Sequence, residues 1–377
     1  MWLLFLLVFL VLFMASIFNT NTQKGARNYI LFIFTVFAVL IMFRASTVGN
    51  DTEDYLKLFK FIASDNIKSF INDSRYEAGY IYLNKLLSNI STDPQILLIV
   101  TGLFTAISFG RFIYKYSAIP WFSAYMFLTL QYYDLSLSGI RQILSISILL
   151  FSFDFLINRK LIWFVLTVIL AVYFHSSAAM FMLIYIIVLL KKSNYFYPIS
   201  GVIAVAVFVM FSRLFSIIGR VFPNYVKYLT TEGTSYTNSA TLAVTLMLAL
   251  WIILFGISFY INSMSKFKDD VDNLDKDRYF LLLNDKNMNN VHEIGVWLGV
   301  IMLFLALQGT ILNRFKYIYS VSMLIYYPNA LAKITNQRDR AILLMGSCII
   351  FLLYIVIIYI FRPEWQSSYP YSFFWQK

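Results

Sequence analysis

Long runs of apolar residues, separated by short polar segments, extend along the whole chain. A helix needs about 20 mostly apolar residues to cross roughly 30 Å of hydrocarbon, and buried or tilted helices vary around that length. Twelve stretches fit this requirement, so we predict twelve membrane-spanning helices. Their predicted limits are 2–18, 29–43, 95–113, 119–133, 140–157, 161–174, 176–190, 197–218, 241–261, 294–311, 317–332 and 341–361.

The composition agrees with this pattern. The 377 residues are 60% hydrophobic and only 13% charged, and the mean hydropathy is +0.72. Water-soluble domains carry about 25% charged residues, so an ordinary soluble globule is excluded. We predict an all-α polytopic integral membrane protein in which residues 1–377 form a single transmembrane domain. The one cysteine, Cys348, excludes an intrachain disulfide.

Lysine and arginine are distributed unevenly between the two sets of connecting segments. The short loops 19–28, 111–118, 158–160, 191–195 and 333–340 hold 11 Lys/Arg in 34 residues, whereas the opposite set holds 12 in 101. Cytoplasmic loops carry an excess of these residues, so the short loops are predicted to be cytoplasmic and both termini to face outward.

This orientation also assigns each of the longer segments to one side of the membrane. We expect extracytoplasmic loops at 44–95 and 219–240 and a cytoplasmic loop at 262–293. Tyr80, Leu83, Leu87 and Ile90 recur at helical spacing within the first loop, which indicates an amphipathic helix along the membrane interface. The net charge of +11 therefore fits a membrane surface, and no nucleic acid is expected as a partner.

Ionisable residues are costly inside a membrane, so those at the ends of spans are functional candidates. Arg44 ends the second predicted span, Arg141 opens the fifth, His175 closes the sixth, and Arg314 lies just beyond the tenth. All four are on the predicted outer side. They therefore define one end of the bundle as the candidate site.

The middle of the spans carries almost no charge. Asp154 lies near the predicted inner end of the fifth span, where we expect it to pair with Arg159 or Lys160. Charge-free interiors argue against an ion or proton path through the bundle.

Arginines on the outer side run against the positive-inside tendency and indicate an anionic partner. They could reach lipid phosphates by snorkelling, or they could bind a phosphorylated substrate. The guanidinium group pairs with phosphate through two parallel hydrogen bonds, which suits a lipid-linked diphosphate. Gln142 adds a polar group beside Arg141 at the same helix opening.

Two carboxylates, Asp51 and Glu77, lie in the predicted outer loop with Arg44 and Arg75 nearby. Such groups could accept hydrogen bonds from a sugar or abstract a proton. Each also has a structural interpretation. Asp51 could cap a helix that begins at Thr52, and Glu77 could pair with Arg75 or cap the next helix.

His175 is either a hydrogen-bonded structural residue or a general base. The fifth and sixth spans are joined by residues 158–160 alone, so they form a hairpin that places Arg141 and His175 at matching depth. A neighbouring cation lowers the pKa of an imidazole and keeps it neutral. The chain has no glycine-rich phosphate loop, no His pair for a metal and no serine nucleophile motif, so no metal or cofactor is expected.

Four short motifs in chain order resemble the EpsG-like branch of the Wzy-type polysaccharide polymerases. They are Arg44 with Gly49-Asn50-Asp51 and Tyr55, then Glu77-Ala78-Gly79-Tyr80, then Ser138-Gly139-Ile140-Arg141-Gln142, and last Phe174-His175-Ser176-Ser177. The resemblance covers about 44–180, and the later spans match in layout. Asn50 separates Gly49 from Asp51, where the family pattern has Gly-Asp adjacent.

The resemblance implies a membrane glycosyltransferase that needs no cofactor. It would transfer the growing glycan from undecaprenyl diphosphate to a hydroxyl of the next lipid-linked unit, at the outer face of the bacterial plasma membrane. His175 would take the proton, with Asp51 and Glu77 as alternatives. The diphosphate would be bound by Arg44, Arg75, Arg141, Gln142 and Arg314.

The resemblance also implies the partners. They are the undecaprenyl-diphosphate-linked donor and acceptor, the bilayer, a chain-length regulator and a flippase. Two other functional hypotheses remain open from the residues alone. A lipid-linked oligosaccharide flippase or polysaccharide exporter would need cations along a path through the bundle, and an O-antigen ligase-type transferase would use the same donor with a different acceptor.

Overall fold

The computed structural model describes residues 1–64, 76–191, 195–211, 213–214, 238–265, 279–308 and 312–376. Within them the regular secondary structure is helical, so the prediction of an all-α protein is confirmed. The helices are α1 (Trp2–Ile17), α2 (Gln23–Met42), α3 (Thr52–Ser64), α4 (Ala78–Ser88), α5 (Gln95–Tyr116), α6 (Pro120–Thr129), α7 (Tyr132–Ser138), α8 (Ile140–Ile157), α9 (Leu161–Val172), α10 (Met182–Leu190), α11 (Phe196–Val209), α12 (Asn238–Ser265), α13 (Tyr279–Asn284), α14 (Lys286–Leu305), α15 (Asn313–Ser320), α16 (Met323–Ala332) and α17 (Gln337–Phe361).

Six of these helices are long and apolar enough to cross a membrane, namely α2, α5, α8, α12, α14 and α17. Shorter apolar helices are α1, α9, α11 and the segment Ser176–Leu190, in which a 3₁₀ turn (Ser176–Phe181) precedes α10. The architecture is that of a multi-pass membrane protein. The count of twelve spans stays a prediction.

Two predicted spans are each divided into two short helices. The stretch 119–133 forms α6 and α7, separated at Gln131, whose φ of 69° is left-handed. The stretch 317–332 falls on α15 and α16. A helix of ten residues rises only about 15 Å, half the hydrocarbon thickness. Every residue of α7 and α16 is buried, as expected where broken backbone is enclosed by protein.

The predicted outer loop 44–95 contains α3 and α4, so its partly helical character is confirmed. The predicted loop 219–240 lies almost entirely outside the described residues. The last part of the predicted loop 262–293 is helical, because α14 begins at Lys286. His292 lies in that helix, 1% exposed, and its ring contacts those of Phe112, Tyr116 and Phe153. Aromatic packing therefore makes the start of α14 part of the bundle.

Asp154 is an ion-pair partner of α5 rather than of the neighbouring turn. Lys115 Nζ lies 2.6 Å from its Oδ1, and Arg111 pairs with its Oδ2. The predicted pairing with Arg159 or Lys160 is wrong, because α5 and α8 pack side by side and bring their basic and acidic ends together. This carboxylate ties two membrane helices at one end.

The C-terminal segment after α17 is bound to the loop after α2. The Ala45 N–H donates to Ser372 O (2.9 Å), and the Gly49 N–H donates to Ser367 O (2.9 Å). Gly49 has φ of +91°, and a Cβ there would lie 2.1 Å from Leu137 O, so only glycine fits. The segment therefore fixes the backbone just before α3.

Candidate functional site

Four elements bring the predicted site residues Glu77, Arg141, His175 and Arg314 together. Glu77 directly precedes α4, Arg141 lies in the first turn of α8, His175 directly precedes the 3₁₀ turn at Ser176, and Arg314 lies in the first turn of α15. The charges of the other three all act on the imidazole of His175. We call these four residues the Glu77 cluster.

The carboxylate of Glu77 makes two charge-assisted contacts. Arg141 Nη1 donates to Oε2 (2.6 Å), and the backbone N–H of Ser176 donates to Oε1 (3.0 Å). The side chains of Arg141 and Glu77 are only 18% and 17% exposed. The carboxylate therefore binds α8 and the start of the 3₁₀ turn to the N-terminus of α4.

These contacts decide between the structural interpretations of Glu77. It occupies the N-cap position of α4, but its side chain makes no capping hydrogen bond there. Its ion-pair partner within the described residues is Arg141, and Arg75 lies outside them. Burial on its own raises the pKa of the Glu77 carboxyl, but Arg141, the Ser176 N–H and His175 outweigh it, so the pKa is lowered. Glu77 is thus held as a carboxylate.

His175 uses one ring nitrogen to hold the local backbone. The N–H of Ser177 donates to Nδ1 (3.2 Å), and the Ser177 hydroxyl lies 2.9 Å from the same atom. A neutral imidazole that accepts a backbone N–H at Nδ1 carries its proton on Nε2. Nε2 is then a hydrogen-bond donor and not a proton acceptor.

The imidazole is 8% exposed. The pKa of His175 is lowered to about 4, mainly by burial and also by Arg141 and Arg314, against the opposing effect of Glu77. Protonation would also place a hydrogen on Nδ1, where it would face the Ser177 N–H. The ring is therefore neutral near pH 7, as the sequence predicted, although burial contributes more than the neighbouring cations.

Aromatic rings and a backbone contact hold the two arginines. The Arg141 guanidinium lies 4.8 Å from the ring centre of Tyr76 and 5.9 Å from that of Tyr55, within the range of cation–π attraction. Gln142 Nε2 donates to Arg314 O (2.8 Å), which ties α8 to the start of α15. The Arg314 side chain is exposed. Gln142 therefore positions the backbone of Arg314.

Gly79 lets α4 approach the end of α9. Its N–H donates to Tyr173 O (3.0 Å), and a Cβ at position 79 would lie only 2.7 Å from that same oxygen. Glu77 is two residues before this contact. The absence of a side chain at Gly79 therefore sets how close the Glu77 carboxylate comes to Ser176.

Asp51 and Arg44 are not part of the Glu77 cluster. Asp51 is exposed and directly precedes α3, which begins at Thr52 as predicted; its charge acts on the Tyr55 hydroxyl. Arg44 is fully buried, and its Nη1 donates to Ile41 O (2.5 Å). Arg75 lies outside the described residues.

Sequence reasoning missed several groups at this end of the bundle. Tyr55 was noted only as part of the family motif and without a role, and Tyr76 does not stand out among 27 tyrosines, yet the rings of both lie near the Arg141 guanidinium. Asp134 is fully buried in α7 and accepts hydrogen bonds from the hydroxyls of Tyr359 (2.6 Å) and Ser368 (2.8 Å). Both donors come from beyond residue 350, so nothing local in the sequence predicts that arrangement.

Apolar helices with a cluster of arginines and a carboxylate at the ends of several of them suit a membrane protein that binds an anionic group. Comparison with known families gives the class. A family model described as the EpsG family matches residues 27–373. The chain belongs to the EpsG family, a family of Wzy-like polysaccharide polymerases. No curated protein and no solved structure matches the chain.

The low pKa of His175 predicts how it responds to pH. Its folded pKa of about 4 lies below the ordinary value of 6.5, so between these values the unfolded chain binds a proton that the native imidazole does not. The contribution of the neutral His175 to the free energy of unfolding should therefore be fully present above pH 6.5 and should be lost as the pH drops toward 4. Nuclear magnetic resonance of the histidine ring carbons should show His175 unchanged between pH 5.5 and 8.

The chain has only two histidines, which makes this measurement clear. Loss of one signal in His175→Asn assigns the resonance. A midpoint near pH 6.5 for that signal would show that the imidazole is neither buried nor held as described.

Proposed function

We propose that this protein polymerises undecaprenyl-diphosphate-linked oligosaccharide units at the outer face of the bacterial plasma membrane. The observation that carries the proposal is the Glu77 cluster, in which two arginines from different helices flank a neutral buried imidazole. Membership of the EpsG family supports it. Lipid-linked sugars are the substrates that such a polymerase family implies.

The reaction joins two lipid-linked units. A hydroxyl oxygen of the acceptor sugar attacks the anomeric carbon that links the growing glycan to its carrier. The bond from that carbon to the diphosphate oxygen breaks, the diphosphate leaves with the electron pair, and the hydroxyl proton passes to a base. Arg141 and Arg314 neutralise the charge that develops on the diphosphate, which is usually the largest catalytic contribution.

The contacts of the three candidates for the base support a different role for each of them. Glu77 has both oxygens engaged and a lowered pKa, so it positions Arg141 and is a poor proton acceptor. His175 donates from Nε2 to an oxygen of the departing diphosphate. Asp51, the exposed carboxylate before α3, then takes the acceptor proton.

The proposal includes the predicted orientation, with both termini and the Glu77 cluster outside. Single cysteines at positions 70 and 270, in a Cys348→Ser background, test it with a membrane-impermeant thiol reagent on intact cells. We expect labelling at 70 and protection at 270, because cytoplasmic loops carry the excess of Lys and Arg. The reverse pattern would place the cluster on the cytoplasmic side.

The arginines have a direct test. Purified protein incubated with the lipid-linked repeat unit should produce a ladder of multimers on a gel. Arg141→Lys and Arg314→Lys keep the charge but lose the planar fork, so each should reduce the rate by about 10- to 100-fold while the protein still inserts.

Arg338→Lys is the matched control, since Arg338 lies in the first turn of α17 on the predicted inner side, and it should leave the ladder unchanged. Equal activity of all three variants would leave membrane anchoring as the role of Arg141 and Arg314. Wild-type protein that adds one unit only would indicate a ligase, and transport of the lipid without any ladder would indicate a flippase.

Two substitutions separate the donor role of His175 from the base role. Asparagine keeps an acceptor for the Ser177 N–H but loses the group at Nε2, whereas glutamine can place an amide N–H near Nε2. We expect His175→Asn to lower kcat by about 100- to 1000-fold and His175→Gln to retain at least a tenth of it.

The melting temperature of both variants should be measured as a check on folding. Neither amide can take a proton, so equal losses of kcat in two folded variants would restore His175 as the general base.

A further inference from the structure

A groove of about 720 Å³ lies beside the Glu77 cluster, between α4 and the end of α9. Tyr82 and Leu86 of α4 line one wall, and Leu170, Tyr173 and Phe174 line the other. The size is within the range of small-molecule binding sites. It is large enough for part of a long hydrocarbon chain.

The shape of the groove follows from how its two walls meet. α4 contacts the end of α9 at the hydrogen bond from the Gly79 N–H to Tyr173 O. Gly79 and Tyr173 both line the groove, so the groove begins at that contact and continues along the next turns of α4. One end is therefore fixed by the same backbone contact that sets the position of Glu77.

The lining is mostly exposed apolar surface, and Asn89 adds one neutral polar side chain. Tyr82 is 59% exposed, Leu86 61%, Leu170 52% and Tyr173 54%. Lys85 is the one charged residue of the lining, and its Nζ donates to Ile62 O of α3 (3.2 Å). Contiguous apolar surface of this kind marks a binding groove or a contact with lipid.

We propose that this groove binds the hydrocarbon tail of the lipid-diphosphate-linked donor, an inference that rests on the proposed function. The proposal depends on the groove being continuous with the Glu77 cluster. Phe174 directly precedes His175, and Gly79 follows Glu77 by two residues. A tail lying in the groove from its Gly79 end therefore places the attached diphosphate beside Arg141. The donor enters sideways from the bilayer, tail first along α4.

A sugar-free probe tests the groove without requiring polymerase activity. The probe is undecaprenyl diphosphate with a photoreactive diazirine near the headgroup, added to protein in lipid nanodiscs. After illumination, the labelled peptides should contain residues 79–89 and 170–174. Unlabelled undecaprenyl diphosphate should compete with this labelling, and added phosphatidylglycerol should not.

A phosphatidylglycerol that carries the same diazirine separates the donor from ordinary lipid. Equal labelling of the groove by this second probe, or labelling by the first probe at other helices only, would overturn the proposal. Labelling as expected together with a wild-type protein that makes no ladder would overturn the proposed function and leave a lipid-diphosphate site.

A matched pair on α9 gives the kinetic test. Leu170 lines the groove, whereas its neighbour Ile169 is 45% exposed and does not. Leu170→Gln should raise the KM for the full-length donor about tenfold and leave kcat unchanged, because it removes apolar contact with the tail. Ile169→Gln should change neither constant.

Donors with a shortened tail that ends before Leu170 should show no difference between the two variants. A KM that rises equally in both variants, or equally for long and short tails, would show that Leu170 does not contact the tail.

Discussion

The carboxylate of Glu77 joins three parts of the chain that are far apart in sequence. It contacts Arg141 on α8 and the backbone of Ser176 beyond α9, while Glu77 itself directly precedes α4. Removing one partner of such a pair leaves a poorly solvated charge, which costs more than the contact itself contributes. The carboxylate therefore fixes Arg141 and the start of the 3₁₀ turn relative to α4, whereas Gln142 ties the backbone of Arg314 to the same end of α8.

The charge balance around His175 explains how a site can be cationic and still hold a neutral donor. Two arginines and burial all disfavour a proton on Nδ1, and the Ser177 N–H already occupies that atom. An imidazole that was protonated before the substrate arrived would have to lose contacts with the 3₁₀ turn. Fixed dipoles and charges of this kind need little rearrangement during a reaction, which is what the proposed stabilisation of a departing diphosphate requires.

Hydropathy and residue spacing predicted the features that depend on short stretches of chain. The helical nature of the protein, α3 and α4 within 44–95, and the proximity of Arg141 to His175 all follow from local pattern. Contacts between distant segments do not. The partners of Asp154 lie on α5, and those of Asp134 come from the C-terminal end of the chain. A carboxylate carries no sequence signal for which of many basic or hydroxyl groups the packing will place beside it.

Hydropathy also could not predict the divided helices, because a buried broken helix and a continuous span have the same apolar composition. Their interior is filled by side-chain contacts: the Tyr132 hydroxyl lies 2.8 Å from Ser320 Oγ, and the Tyr317 hydroxyl donates to Gln131 Oε1 (3.3 Å). All four residues are buried. These two contacts join Gln131 and the first residue of α7 to α15 inside the protein. The open apolar surface next to the Glu77 cluster is instead the groove beside α4, which agrees with the proposal that a lipid-linked substrate approaches from the bilayer.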